Sequence, residues 1–255
     1  MKAFKIKELL EKGHPSIGSW LQIPDTSVAM IIGSAGYDWV AVDLEHGTFS
    51  DRVLPDVFTA IAHKGTIPLA RLAQAESKDI KKALDAGAHG IILPMIESAE
   101  QLEKAVLQSL YPPRGTRGVG YCRANGFGKN FSDYKKAADD ILIVAQIENI
   151  KAVENLDSIL SVKGLDAIMI GPYDLSGSMG LTGQFEHPRY LETLKKIELK
   201  AKEHQIPMGL HVVQPDEDAL SGTITRGYQF IAYGTDAVFL YNSAQNPITD
   251  KTKRE

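Results

Sequence analysis

Residues 39–44 read WVAVDL and are followed at once by Glu45, His46 and Gly47. Trp39, Val40, Ala41 and Val42 are apolar at odd and even positions alike, so a strand here has to be covered on both faces, as in a parallel sheet flanked by helices. The run then gives way to ionisable side chains. The same apolar signature recurs at Ile17–Leu21, Ile67–Leu72, Gly90–Met95, Ile141–Ile147, Ala167–Gly171, Met208–Val213 and Phe230–Gly234. Helical patterns with their own punctuation lie between the runs. Thr26–Ser34 precedes Gly36, and Ser50–His63 opens on a Ser-Asp capping signal and stops before Gly65. Ser77–Ala86 ends at Gly87, and Ser98–Leu110 ends before Pro112-Pro113. His187–His204 has Pro188 in its first turn and lysines toward its end, and Asp216–Thr225 precedes Gly227. Eight strands alternating with helices in 255 residues predict an α/β fold, a single-domain (β/α)8 TIM barrel spanning residues 1–255. A doubly wound open sheet is the rival, but no GxGxxG follows the first strand.

The composition fits a globular protein and excludes other classes. Hydrophobic residues at 44% suffice for a buried core, and 24% charged residues are ordinary. Twenty-eight basic against 32 acidic residues give a net charge of −4, which speaks against nucleic acid or an anionic membrane as partner. The single cysteine, Cys122, excludes an intrachain disulfide and a Cys-rich zinc site. Residues 1–12 alternate Lys with apolar residues and read as neither signal peptide nor anchor. The longest uncharged apolar stretch, Gly90–Ile96, falls far short of the roughly 18 residues that span a bilayer, so the cytoplasm is the expected location. One connection, 111–140, is too long for a simple helix and carries PPRGTRGVGYCRANGFG. Its aromatics and arginines predict an ordered loop over the barrel mouth. A polar tail, 246–255, closes the chain.

In such barrels the chemistry sits where strands end. The second run ends in Asp43, Glu45 and His46, the third in Arg71, the fifth in Gln146 and Glu148. The sixth leads into Gly171, Pro172, Tyr173 and Asp174, and the seventh carries His211. Glu148 and Asp174 are hard oxygen ligands suited to a divalent ion such as Mg²⁺ or Mn²⁺, or else buried carboxylates paired with cations. His46 is an acid/base candidate, with Asp43 placed to orient its imidazole, or a capping histidine. Arg71, ending an apolar run, needs an anion, either Glu45 or Glu148 or a substrate oxyanion. Gln146 shares a face with Glu148 by strand alternation.

The ordered set GYDWVAVDLEHG (36–47), LARL (69–72), DAGAHGIILPMIESAE (85–100), YPPRGTRGVG (111–120), RANGFG (123–128), QIEN (146–149), GLDAIMIGPYDLS (164–176) with MG following, and FIAYGTD (230–236) resembles the HpcH/HpaI family of metal-dependent pyruvate aldolases. RANGFG makes the chain look closest to the branch that cleaves 2-keto-3-deoxy sugar acids. The resemblance implies Glu148 and Asp174 as ligands of a divalent ion (Mg²⁺, Mn²⁺ or Co²⁺), Arg71 as the enolate-stabilising residue, and His46 as acid/base in a dyad with Asp43, with Asp85 near it. It implies Gln146 against the pyruvoyl unit, and the turn Pro172–Asp174, through the Tyr173 and Asp174 N–H groups, on the pyruvate carboxylate. It also implies a homo-oligomer, a hexamer built as a trimer of dimers that exchange the C-terminal helix. His211 stands where several relatives carry an apolar residue and would touch the aldehyde fragment, and Pro247 would end the exchanged helix early.

The expected reaction is reversible aldol cleavage of a 2-keto-4-hydroxy acid to pyruvate and an aldehyde. A Schiff-base route would need a desolvated lysine at a strand end, and no run ends in Lys. A lyase acting on a CoA thioester would want a basic groove beyond Arg114, Arg117 and Arg123. A non-catalytic 2-keto acid binding barrel is the third reading.

Overall fold

The structure, a computed structural model, describes residues 3–137 and 140–246. The chain opens with α1 (Ala3–Glu11) and β1 (Ser16–Leu21), then α2 (Thr26–Gly33), β2 (Trp39–Asp43), α3 (Leu54–Ala62), β3 (Ile67–Arg71), α4 (Ser77–Ala86) and β4 (Gly90–Leu93). It continues with α5 (Ala99–Ser109), α6 (Phe131–Ala137), β5 (Leu142–Ile147), α7 (Ile150–Glu154), α8 (Leu156–Leu160), β6 (Ala167–Ile170) and α9 (Pro172–Ser178). It ends with α10 (Pro188–Glu203), β7 (Met208–Val212), α11 (Glu217–Thr225), β8 (Phe230–Thr235) and α12 (Asp236–Ser243). The strands pair in parallel in chain order and β8 closes on β1, so the predicted eight-stranded barrel is the observed fold.

Alternation along each strand explains why the runs are apolar throughout. Trp39, Ala41, Leu69, Ile92, Leu142, Val144, Met169 and Phe230 fill the interior, with Trp39 stacked on Phe230 at 4.3 Å. Val40, Val42, Ala70, Ile91, Ile143 and Ile168 face the helices and form the larger cluster with them. Helix α1 was not foreseen. It places Ala3, Ile6 and Leu10 in the interior cluster and so stoppers the end of the barrel where the strands begin. Lys7 anchors it to Asp166 at 2.9 Å, and Gln229 Nε2 donates to the Leu10 carbonyl.

Two expectations about the long connection and the helices need correction. The described residues of the segment 111–140 do not fold over the mouth of the barrel. The segment joins the end of α5 to the start of β5, and helices return the chain to the end where strands begin. There Arg123 donates to the Ala86 carbonyl and to Thr59, and Arg117 to Asp85, so the segment packs beneath α3 and α4. Gly87, which caps α4 at φ 116°, allows this approach, since a Cβ there would lie 2.0 Å from Arg123 Nη1. The third helix begins at Leu54, with Pro55 in its first turn, rather than at Ser50. Of the expected tail 246–255, residues 247–255 lie outside the described residues. Among the described residues no helix is long and apolar enough to cross a membrane.

Candidate active site

The strand ends meet on one rim and divide into two halves. In the first, β2 and β3 pair Asp43 with Arg71 in register. The Asp43 carboxylate is fully buried and accepts from five donors. Arg71 donates through Nε to Oδ1 (3.0 Å) and through Nη2 to Oδ2 (2.6 Å), and Gln22 Nε2 donates to Oδ2 (3.0 Å). The backbone N–H groups of Glu45 and His46 both donate to Oδ1 at 3.1 Å. Burial by itself would raise the Asp43 pKa, but Arg71 and these donors hold the carboxyl below the usual range, so it stays ionised. Arg71 also reaches Glu45 at 3.3 Å, and its guanidinium lies 4.6 Å above the Trp20 ring. Three neighbours thus hold one cation, which leaves its orientation little freedom.

The second half gathers Gln146 from β5 and Glu148, the residue just past its end, with Asp174 from α9. Glu148 is 3% exposed and accepts from the Met95 N–H at 2.7 Å and from Gln146 Nε2 at 2.8 Å. Its carboxylate lies over Gly171, where a Cβ would come within 2.5 Å of Oε2, so only glycine fits there. Burial pushes Glu148 up to about 7, and the charges of Glu45 and Asp174 add to the push. Glu45 is raised for the same reasons, burial first. Asp174 sits exposed in the first turn of α9, whose leading residue Pro172 has no N–H, so the Tyr173 and Asp174 N–H groups head the helix. Gln146 is buried and its Oε1 accepts from nothing.

His211 rises from β7 between the halves. Its Nε2 lies 3.1 Å from the Gly234 carbonyl and so carries the proton, which makes Nδ1 an acceptor. Its ring tilts against Trp20 at 5.7 Å. Burial, with Arg71 nearby, drives its pKa down to about 4, so the imidazole is neutral.

The expected residues are therefore mostly together, with two re-assignments. Asp43 does not orient the His46 imidazole. It binds the His46 backbone N–H and spends its side-chain contacts on Arg71 and Gln22, while the ring stands exposed at the rim. Asp85 is not near His46 within this chain. It lies in the last turn of α4, toward the opposite end of the barrel, bound to the buried Arg117 at 2.6 Å. Trp20 and Gln22 were missed, although Gln22 directly follows the first apolar run, the position that singled out the others.

Residues 16–243 match the family described as HpcH/HpaI aldolase/citrate lyase. The chain belongs to this family. As an HpcH/HpaI protein it is 36% identical over 247 residues to the hydroxypyruvate/pyruvate aldolase of Roseobacter denitrificans, covering 94% of each chain. It is 32% identical over 241 residues to the 4-hydroxy-2-oxo-heptane-1,7-dioate aldolase of Escherichia coli, covering 94% of this chain and 91% of that one. The crystal structure of an HpcH/HpaI aldolase/citrate lyase family protein from Burkholderia cenocepacia superposes with a TM-score of 0.88 at 30% identity, over 94% of this chain and 96% of that one. The chain is thus a carbon–carbon lyase, an aldolase.

The donors at the second half test the ion that HpcH/HpaI resemblance implies. Among the described residues no three His, Cys, Asp or Glu side chains stand close enough to enclose an ion. Two carboxylates with water and a chelating substrate still satisfy a hard divalent cation. The surplus negative charge around Glu148 and the orphaned Gln146 oxygen fit such a group.

Proposed function

We propose that this aldolase reversibly cleaves a 2-keto-4-hydroxy acid to pyruvate and an aldehyde, and that it depends on a divalent cation held by Glu148 and Asp174. The observation that carries this reading is a buried carboxylate, Glu148, crowded by Glu45 and Asp174 and facing the clamped cation Arg71. Both named relatives act, by their names, on 2-keto acids.

When bound, the cation supplies Lewis-acid polarisation of the 2-keto acid. The remaining work falls to the side chains. His46 takes the proton of the C4 hydroxyl, the C3–C4 electron pair passes into the pyruvoyl half, and the aldehyde leaves. Arg71 offsets the charge that collects on the enolate oxygen. His46 then returns its proton to C3 and pyruvate forms. The Tyr173 and Asp174 N–H groups at the head of α9 and the Gln146 amide orient the pyruvoyl half. Asp43 acts through Arg71 rather than through the imidazole. No strand end carries a lysine, so a Schiff base has no anchor. Sugar-acid substrates, assembly as a hexamer of three helix-exchanging dimers and a cytoplasmic setting belong to the same proposal. The exposed Leu240 and Tyr241 of α12 suit the assembly.

The test is pyruvate mixed with a panel of aldehydes and Mg²⁺, Mn²⁺ or Co²⁺, read by product mass. Activity is expected to vanish with chelator and return with added ion. Borohydride with pyruvate is expected to leave the protein mass unchanged, and a covalent adduct would overturn the mechanism.

A further inference from the structure

Arg71 is held by Asp43, and what holds Asp43 is unequal at its two oxygens. Oδ1 has three donors, Arg71 Nε and two backbone N–H groups of its own turn. Oδ2 has two, Arg71 Nη2 and the amide of Gln22. Without Gln22 the second oxygen is held by the guanidinium alone, so a twist of the carboxylate plane that tilts the fork meets one fixed donor fewer on that side. The Gln22 amide is not placed by chance. Asp236, 3% exposed at the start of α12, accepts the Gln22 and Ile23 backbone N–H groups at 2.8 Å each. The grip reaches across the barrel closure, from the end of β8 to the end of β1. Residues 20 and 22 fall on the same side by strand alternation. The end of β1 therefore supplies the Trp20 plate under the guanidinium and the clamp on its counterion.

The chemistry of the clamp also matters. An amide donates without charge, so it braces Asp43 and leaves the full negative charge to Arg71. A lysine at 22 would compete with Arg71, and a glutamate would repel Asp43.

We propose that Gln22 is a positioning residue, whose amide, seated by Asp236, fixes the Asp43 carboxylate and through it the aim of the Arg71 guanidinium. This rests on the reading of Arg71 as the enolate-stabilising group.

The test uses the ion-loaded full chain and exchange of the pyruvate methyl protons into heavy water, which needs no aldehyde. Gln22→Leu is expected to lower the exchange rate constant about tenfold, which is about 1.4 kcal/mol, with the pyruvate KM within about twofold. In an Arg71→Ala background the same change should cost nothing further, because the clamp has nothing left to aim. Gln22→Glu keeps the size of the side chain and should recover relative to Gln22→Leu as pH falls, since a protonated carboxyl can donate to Asp43. The nitrogen-15 resonance of the Arg71 Nε–H should shift in both variants without any substrate. Additive losses in the double variant, or an unmoved Arg71 resonance, overturn the proposal. If Arg71→Ala retains wild-type exchange while the resonance does shift, the positioning stands and the catalytic reading of Arg71 falls instead.

Discussion

Asp43 at the β2–β3 corner of the mouth and Glu148 at the β5–β6 corner are both buried carboxylates, and they stand in opposite conditions. Asp43 has a guanidinium and three neutral donors around it and remains charged. Glu148 has two neutral donors and two carboxylate neighbours and is pushed up to about 7. Burial is similar, so partners decide the outcome. The first corner finds its charge partners within the chain, so Asp43 and Arg71 hold each other in place. The second carries surplus negative charge that no cation among the described residues pairs closely, and a proton or the proposed divalent ion would offset it.

If that contrast is right, breaking the first corner costs stability before it costs anything else. Asp43→Ala removes the main partner of a poorly hydrated guanidinium and is expected to destabilise the fold by about 3–5 kcal/mol in denaturant unfolding. A loss under about 1 kcal/mol would mean that Glu45 and Trp20 alone hold Arg71. His46 lies at the edge of that corner with its ring in solvent. His46→Ala should leave folding and pyruvate binding intact yet lower cleavage by roughly 10²–10⁴, about 3–5 kcal/mol of barrier. Equal turnover in the two proteins would make His46 a bystander.

The second corner is exposed by pH. Glu148 binds its proton more tightly folded than unfolded, so it stabilises the ion-free protein as pH falls from about 7 to 4.5. His211 binds its proton less tightly folded, so stability is lost as pH falls from 6.5 to about 4. Each effect is on the order of 3 kcal/mol, and their signs oppose. These two contributions should therefore nearly cancel in the ion-free wild type across this window. Glu148→Gln should make it acid-labile and His211→Leu acid-stabilised. Parallel melting curves for all three would remove the contrast between the corners.

The smallest expected effect refines what lies between them. His211 offers only an acceptor nitrogen to the mouth. His211→Leu should erode any preference for hydroxylated over plain alkyl aldehydes by about 2- to 12-fold, about 0.5–1.5 kcal/mol, in competition assays. Pyruvate methyl exchange should change little.

Strands read well from the sequence because burial on both faces leaves an unbroken apolar run, and the rim residues followed from where each run stops. Short helices such as α7, α8 and α9 have too few turns to show a period. The pairing of Asp43 with His46 was misjudged because three residues of spacing suggests a side-chain contact. In the turn it is the backbone N–H that arrives. Arg71 lies 28 residues away, and only the β2–β3 register brings it opposite Asp43. The segment 111–140 was set at the wrong end because its length was weighed and its connectivity, helix end to strand start, was not. The position of Gln22 after the first run is legible in the sequence, but what seats it there is not. Its partner Asp236 sits 214 residues on, joined to it only when the barrel closes.

The stopper helix α1 has a consequence for how the protein is made. Its docking partners are Asp166, Gln229 and the interior to which β1 through β6 and β8 contribute. Helix α1 therefore cannot settle fully until Gln229 and β8, far along the chain, have followed it. Ala3, Ile6 and Leu10 stay uncovered through that interval. Lys5, Lys7, Glu8, Glu11 and Lys12 surround them, and this density of charge keeps a waiting apolar stripe from adhering to neighbouring nascent chains.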